Sequence, residues 1–173
     1  MDTIDRFIEK AKVAGAEVAR VDAICAAAFI DDFLKKNNLK TAIISPDLKA
    51  RPPFDAAFAA VGTGLAGGEL WVGAGIVAAD YGIAETGTLV HFDRSDEEKN
   101  AWTLPDVCLC VLDAAKIVPA LEAIAPEISA HLGRTDIASP QVSLVTGPSR
   151  TADVENQLTI GVHGPARLII VLA

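Results

Sequence analysis

Two short, uninterrupted apolar runs constrain the fold of this chain more than any other feature of its sequence. Residues 107–112 read Val-Cys-Leu-Cys-Val-Leu, and residues 168–172 read Leu-Ile-Ile-Val-Leu. Strands that carry apolar side chains on both faces belong in sheets covered by helices on both sides, and such sheets are mostly parallel. The two runs therefore predict a buried, largely parallel sheet.

The segments around these runs favour the same architecture. Residues 4–11 have apolar side chains at helical spacing, Asp22 can cap a second helix, and residues 41–44 read as a short strand. Apolar side chains recur at steps of three and four over 117–132, which predicts a later helix before a further strand at 142–145. Because strands and helices alternate, we predict an α/β fold, with a mostly parallel sheet and helices on both faces.

Length and composition predict a single domain over residues 1–173 and exclude several classes of partner. Hydrophobic residues make up 51% of the chain, and 23 acidic against 15 basic residues give a net charge of −8. An acidic chain lacks the basic surface that nucleic acids or anionic membranes require. The N-terminus has no signal-peptide pattern, and no segment approaches the ~20 apolar residues of a membrane span. We therefore expect a cytoplasmic protein without a membrane span and without a nucleic-acid partner.

The cysteines predict neither a disulfide framework nor a metal centre. The chain has three cysteines, an odd number that favours a reducing compartment. Cys108 and Cys110 are two residues apart, so both side chains face the same side of a strand, and we expect them to be buried. A closed zinc site needs four ligands, and an ordinary iron–sulfur cluster needs about four cysteines. The sequence thus predicts no metal ligands and no cofactor.

A glycine-rich segment has the glycine spacing of a dinucleotide-binding motif but not its structural context. Residues 62–67 read Gly-Thr-Gly-Leu-Ala-Gly, but that fingerprint needs a strand before it and a helix after it. Here residues 54–61 look helical and residues 70–77 look like a strand, so the order is reversed. We predict a loop with no role in phosphate binding.

The first candidate site residue is Glu85, in the sequence Ala-Glu-Thr-Gly-Thr at 84–88. Gly87 permits a close backbone turn, and loops at strand ends are where α/β proteins place ligands. A carboxylate there can act as nucleophile or general base, with Thr86 and Gly87 as ligand contacts. The alternative is that Glu85 pairs with an arginine or accepts hydrogen bonds from loop amides.

The second candidate segment follows the strand predicted at 142–145. Ser149 or Thr151 can cap a helix that starts there, Asp153 favours the positive end of that helix, and Arg150 can bind a carboxylate or phosphate. A strand, a glycine and a capped helix start are typical of an anion site. The alternative is a plain helix cap, with Arg150 in a surface ion pair.

A third candidate is His163, which lies between glycines in Gly-Val-His-Gly-Pro at 161–165. It can serve as acid, base or ligand, or it can be a turn residue bonded to the backbone. His91 and His131 lack such a setting, and we assign them to structure or surface. The charged run 93–100 is interpreted as a solvated loop.

Together these segments resemble the lactate utilization protein C family, or LUD domain, over roughly residues 70 to 173. The resemblance rests on Ala-Glu-Thr-Gly-Thr at 84–88, Leu-Pro-Asp at 104–106, Gly-Pro-Ser-Arg-Thr-Ala-Asp at 147–153 and Gly-Val-His-Gly-Pro at 161–165. It implies a fold shared with CoA transferases and ribose-5-phosphate isomerase. Members of that family usually have a longer N-terminus, so we expect contacts supplied by that region to differ here.

The resemblance also implies a function. The chain would be an accessory subunit in bacterial oxidation of L-lactate, or a related 2-hydroxy acid, to pyruvate, with iron–sulfur oxidoreductase subunits as partners. It would bind a small carboxylate or a partner's surface through the loops of Glu85, Arg150 and His163. One alternative is a stand-alone enzyme of the CoA-transferase or sugar-phosphate-isomerase type that uses Glu85. Another is a scaffold without a ligand.

Overall fold

The computed structural model describes residues 2–63, 72–151, 159–161 and 164–173. In these segments the helices are α1 Thr3–Val13, α2 Ala26–Lys36, α3 Pro46–Lys49, α4 Phe54–Ala57, α5 Asp96–Thr103 and α6 Ala125–Leu132. The strands are β1 Glu17–Arg20, β2 Ala42–Ile44, β3 Ala74–Ala78, β4 Tyr81–Ile83, β5 Thr88–Asp93, β6 Val107–Leu112, β7 Ile117–Val118, β8 Gln141–Val145, β9 Arg150–Thr151, β10 Thr159–Ile160 and β11 Arg167–Leu172. Single 3₁₀ turns occupy Ala23–Cys25, Ala114–Lys116 and Leu121–Ile124.

The main sheet has five parallel strands in the order β1-β11-β6-β3-β2. Side chains of its central strands alternate between two cores. Cys108 and Cys110 face a core that includes Phe7 of α1, whereas Leu109 faces a core that includes Ile30 of α2. Both cysteines are fully buried. The predicted parallel sheet, with helices on both faces, is confirmed.

A second sheet of four strands, in the order β7-β4-β5-β8, packs on the α1 side through Leu89 and Ala84. It leaves the main sheet where β3 ends, and only residues 79–80 separate β3 from β4. Residues 142–145 form a strand, as predicted, but it belongs to this second sheet and not to the parallel one. This segment is β8, which pairs antiparallel with β5, and its Leu144 is 51% exposed.

The helix predicted over 117–132 is also partly wrong. Ile117–Val118 form β7, which pairs parallel with β4, and the helical turns begin only at Leu121. Pro126 lacks an amide hydrogen, so a continuous helix from 117 to 132 would lose an interior hydrogen bond there. The spacing of apolar side chains does not reveal that a proline removes a hydrogen bond.

In the described part of the chain, no helix combines the length and the apolar composition needed to cross a bilayer. Of the predicted glycine loop at 62–67, the structure describes Gly62, whose carbonyl accepts a hydrogen bond from the Ile44 amide, and Thr63. Residues 64–67 lie outside the described residues.

Candidate functional site

An open cleft with a volume of about 560 Å³ lies at the carboxyl edge of the five-stranded sheet. Its lining includes Ala78 at the end of β3, Val111 near the end of β6, and Ala173 just after β11. Open α/β sheets bind ligands at this edge, and a cleft of this volume lies in the range of small-molecule sites, about 300–1,000 Å³. We call it the carboxyl-edge cleft.

Four charged side chains line the carboxyl-edge cleft: Arg51, Asp80, Asp113 and Lys116. Arg51 forms an ion pair with Asp47 at 3.0 Å. The carboxylate of Asp113 accepts a hydrogen bond from a backbone amide in the following turn. The Lys116 ammonium lies 5.5 Å from the centroid of the Tyr81 ring, and within the described residues it has no ion-pair partner. Its charge is thus available to an anion in the cleft.

Asp80 occupies the short connection between β3 and β4, and its side chain is 16% exposed. Its carboxylate accepts hydrogen bonds from the Phe92 amide at 2.8 Å and from the Arg94 guanidinium. A backbone amide and a guanidinium therefore fix the orientation of a carboxylate that reaches the cleft.

Behind Asp80 lies His91 of β5, which is fully buried. Its Nδ1 donates to the Ala78 carbonyl at 3.1 Å and lies 3.5 Å from an Asp80 oxygen. On the other side of the ring, Nε2 lies 3.5 Å from a Glu98 oxygen and 3.7 Å from an Asp93 oxygen. His91 thus links the cleft carboxylate to two buried carboxylates. In the part of the chain that is described, no group of three or more His, Cys, Asp or Glu is arranged to hold a metal ion.

Residues 93–100 are not the solvated loop that the sequence predicted. Asp93 ends β5 and is 3% exposed, and α5 begins at Asp96, capped by the Ser95 hydroxyl, which accepts from the Glu98 amide at 3.2 Å. Glu98 is itself 3% exposed. Burial acts to raise the pKa of Glu98, but its contact with His91, its hydrogen bond from the Arg94 amide and the Arg94 charge outweigh burial and lower the pKa.

His131, the other histidine assigned to structure or surface, is structural as well. It is 5% exposed and stacks on Phe92, with ring centroids 4.9 Å apart. Both histidines therefore lie inside the fold, and His91 has polar contacts that its sequence neighbours did not indicate.

The two loops that carry Glu85 and Arg150 flank the last turns of α1 instead, and that helix leads into the amino end of β1. Gly87 and Gly147 have φ angles of +71° and +78°. A Cβ at Gly87 would lie 2.2 Å from the Ala11 nitrogen, and one at Gly147 would lie 2.3 Å from the Ala14 oxygen. Close approach to α1 therefore explains both glycines. We call residues 84–88 and 146–150 together the α1 loops.

Hydroxyl groups join the two α1 loops to each other. The Thr86 and Thr88 hydroxyl oxygens are 2.7 Å apart, and those of Thr88 and Thr146 are 2.6 Å apart. The structure thus brings together the Glu-Thr-Gly turn and the segment that leads to Arg150, at α1 and not in the carboxyl-edge cleft.

The helix predicted after Gly147 with Ser149 as its cap is wrong, because residues 150 and 151 are extended. A helix capped by Thr151 would begin at residue 152, which lies outside the described residues. Arg150–Thr151 form strand β9, which pairs antiparallel with β10, so strand pairing determines the backbone where a helix cap was expected. The Arg150 guanidinium donates to the Ala14 carbonyl at 2.7 Å, and the Ser149 amide donates to the Pro165 carbonyl. Asp153 and His163 lie outside the described residues. The ligand-binding roles of Ser149, Arg150 and Thr151 stay predictions.

Glu85 is half-buried in the turn between β4 and β5. Its amide donates to the Pro119 carbonyl at 3.2 Å, and its carboxylate accepts from the Leu121 amide at 3.4 Å. This matches the alternative in which Glu85 bonds to loop amides. Glu85 does not line the carboxyl-edge cleft, and its catalytic role stays a prediction, as do the contacts predicted for Thr86 and Gly87.

Comparison with known proteins identifies the family. A family model described as the LUD domain matches residues 69–173, more than half of the chain. The chain belongs to the LUD domain family. Asp80 and Lys116 of the carboxyl-edge cleft lie inside the matched region, whereas Arg51 lies before it.

Individual relatives agree with this assignment. Lactate utilization protein C of Geobacillus kaustophilus is 31% identical over 93 residues, which are 54% of this chain and 39% of that protein. Lactate utilization protein C of Exiguobacterium sp. is 34% identical over 99 residues, which are 57% of this chain and 43% of that protein. The matched segments thus span about two-fifths of the length of these relatives.

A solved structure shares the fold over almost the whole chain. The crystal structure of a DUF162 family protein from Deinococcus radiodurans superposes with a TM-score of 0.64 at 20% sequence identity. The match covers 98% of this chain and 95% of the other. The LUD domain family resemblance and the α/β fold class predicted from the sequence are confirmed.

The sequence contained a signal for the cleft residues that motif reading missed. Asp80 comes two residues after a fully buried run at 74–78, and Lys116 comes four residues after the run at 107–112. Charged residues just beyond the ends of parallel strands share one edge of the sheet. Arg51 carries no such signal, because it lies between two short helices, α3 and α4.

Proposed function

We propose that the chain is an accessory component of bacterial lactate utilization that binds a small 2-hydroxy or 2-oxo carboxylate. Iron–sulfur oxidoreductase subunits would oxidise L-lactate to pyruvate beside it. The observation that carries the proposal is LUD domain membership together with 31–34% identity to proteins named lactate utilization protein C. Because those relatives are longer than the matched segments, their activity comes to this chain as a proposal.

The carboxyl-edge cleft supports carboxylate binding. The cations Lys116 and Arg51 both line it, and the ammonium of Lys116 contacts only an aromatic ring among the described groups. The lining alanines, which include Ala26, Ala78 and Ala173, take up little volume. A charge-assisted hydrogen bond to a carboxylate is worth about 1.5–3 kcal/mol.

The setting of the cysteines supports a division of labour with partners. Cys108 and Cys110 are fully buried, and burial raises the pKa of both thiols. The thiolate is the form that ligates metals, so these two side chains are poorly suited to hold a cluster. We assign the redox centre to the partner subunits.

The α1 loops are the proposed partner contact, since Thr86 and Arg150 are exposed there. The proposed partner contact thus includes Glu85 and Arg150, while the carboxylate binds in the carboxyl-edge cleft.

Two measurements test the proposal. Calorimetric titration of the full chain with L-lactate should show binding that Lys116→Met weakens roughly 10- to 100-fold, the equivalent of about 1.5–3 kcal/mol. Lys12→Met, on the exposed face of α1, is the matched control and should bind normally. Reconstitution with the iron–sulfur subunits should raise the rate of lactate oxidation. If the chain neither binds an acid nor changes that rate, the proposal is wrong.

A further inference from the structure

The carboxyl-edge cleft contains two carboxylates, Asp80 and Asp113, as well as cations, and the position of Asp80 bears on which carboxylic acid fits. Asp80 is the lining residue that the buried polar side chains hold in place. Its oxygens act as acceptors toward the Phe92 amide and the Arg94 guanidinium. An ionised carboxylate has about four lone-pair positions and no proton to donate. Two protein donors leave acceptor capacity on the part of Asp80 that is exposed to the cleft.

We infer that Asp80 makes the cleft selective for 2-hydroxy acids over 2-oxo acids. The carboxylate of the ligand binds Lys116, and its 2-hydroxyl donates a hydrogen bond to Asp80. A 2-oxo acid presents a carbonyl oxygen in place of that hydroxyl, so lone pairs would face lone pairs. The inference rests on the proposed function, because it assumes that a carboxylate occupies the cleft.

The buried network explains how Asp80 can discriminate. A carboxylate on a mobile side chain would rotate away from an acceptor at little cost, whereas Asp80 is bonded on both oxygens. Arg94 is held in turn, since its guanidinium lies 3.7 Å from a Glu98 oxygen. His91 lies 3.5 Å behind Asp80. We assign His91 and Arg94 as positioning residues for Asp80.

The expected size of the selectivity follows from the polar contact. Sites built to hydrogen-bond a substrate hydroxyl reject analogues without it, because their polar groups are then left unpaired. The cleft is open to solvent, so water can partly satisfy Asp80 when the ligand has no hydroxyl. We therefore expect L-lactate to bind roughly 10- to 100-fold more tightly than pyruvate, the scale of one hydrogen bond to a charged group.

The test is calorimetric titration of the full chain with L-lactate, pyruvate and propionate, which has no oxygen at C2. Wild type should bind L-lactate most tightly. In Asp80→Asn the side chain can donate as well as accept, so the preference for L-lactate over pyruvate should fall to less than about threefold. Lys116→Met should weaken all three acids by a similar factor and keep their order.

The outcomes separate the inference from the proposed function. If wild type binds L-lactate and pyruvate within threefold of each other, the cleft holds a carboxylate but the inference is overturned. A full preference retained by Asp80→Asn overturns it as well. If no acid binds, the inference and the carboxylate site both fall. Because Asp80→Asn also disturbs Arg94, its circular dichroism and melting curve are recorded, and the wild-type series alone decides the matter if the variant does not fold.

Discussion

The carboxyl-edge cleft and the α1 loops contain similar side chains but use them differently. At the α1 loops, Arg150 donates to the Ala14 carbonyl and Glu85 accepts from the Leu121 amide. In the cleft, Lys116 has no ion-pair partner among the described residues, and Asp80 is held with part of its surface exposed. The α1 loops, which contain the sequence motifs, thus use these polar groups in hydrogen bonds within the protein. A glycine-bearing motif can mark a close approach between segments as well as a ligand.

The largest effect should come from crowding the α1 loops. In Gly87→Ala the new Cβ would lie 2.2 Å from the Ala11 nitrogen, at a φ of +71°. We expect a loss of about 2–5 kcal/mol in the free energy of unfolding, from overpacking and from the left-handed backbone. Urea denaturation measures it. Gly133→Ala is the control, because its nearest contact would be 3.4 Å. If both variants unfold at the same urea concentration, packing does not explain Gly87.

The next largest effects should come from one substitution in each region, and each substitution should change a different property. Lys116→Met should lose roughly 10- to 100-fold in affinity for L-lactate and little stability. Arg150→Ala should lose about 1 kcal/mol of stability, the net worth of its bond to Ala14, and keep its affinity. Calorimetry and urea denaturation of the same two proteins give all four values. If Arg150→Ala loses affinity for L-lactate, the α1 loops and not the cleft alone bind the ligand.

Acid should weaken the network behind Asp80. Because the pKa of Glu98 is lowered in the folded chain from its ordinary value of 4.5, its ionised form stabilises the fold above that pH. This stability is lost as the pH falls below 4.5, through the lower folded pKa. Glu98→Gln should therefore be about 1–3 kcal/mol less stable at pH 7 and show a flatter fall between pH 5 and 3. The exposed neighbour Glu97 provides the control substitution Glu97→Gln, which should follow wild type in melting curves across that range.

The smallest effect on the isolated chain should come from Thr86→Arg. Thr86 is exposed, so a longer, charged side chain should cost no more than the hydrogen bond to Thr88, about 0.5–1 kcal/mol, and leave L-lactate binding intact. If the α1 loops contact the partner, the variant should nevertheless reduce the stimulation of lactate oxidation in the reconstituted system. Normal stimulation would place the partner contact on another surface.

The sequence predicted the strands that are apolar on both faces, because that pattern is visible within each segment. The runs that became β6 and β11, and the burial of Cys108 and Cys110, follow from apolar side chains on both faces of a strand. By contrast, Ile117–Val118 were expected to be helical, as were Arg150–Thr151 if Ser149 capped the predicted helix. Each is a two-residue strand whose partner, β4 or β10, is supplied by another segment. Helical spacing and cap composition do not report such pairing.

The candidate site was predicted less well than the fold, for a related reason. Asp80 owes its setting to Phe92, Arg94 and His91, which come from the next strand and its end. The sequence Ser-Asp-Glu-Glu at 95–98 is typical of a helix start, but it does not reveal that Glu98 is buried beside His91. Sequence motifs marked the segments with unusual backbone, whereas the cleft depends on ordinary residues that only the tertiary fold brings together.

The strand order has a consequence for how the chain can be shortened. The family match begins at residue 69, yet β1 and β2, which both come before it, are the two outer strands of the main sheet. Residues 69–173 alone would therefore leave β3 and β11 with open backbone hydrogen-bonding groups on apolar strands. Exposed edges of that kind pair with other molecules and drive aggregation. The first 68 residues, which lie before the family match, thus protect the main sheet from self-association, and residues 69–173 expressed alone should aggregate.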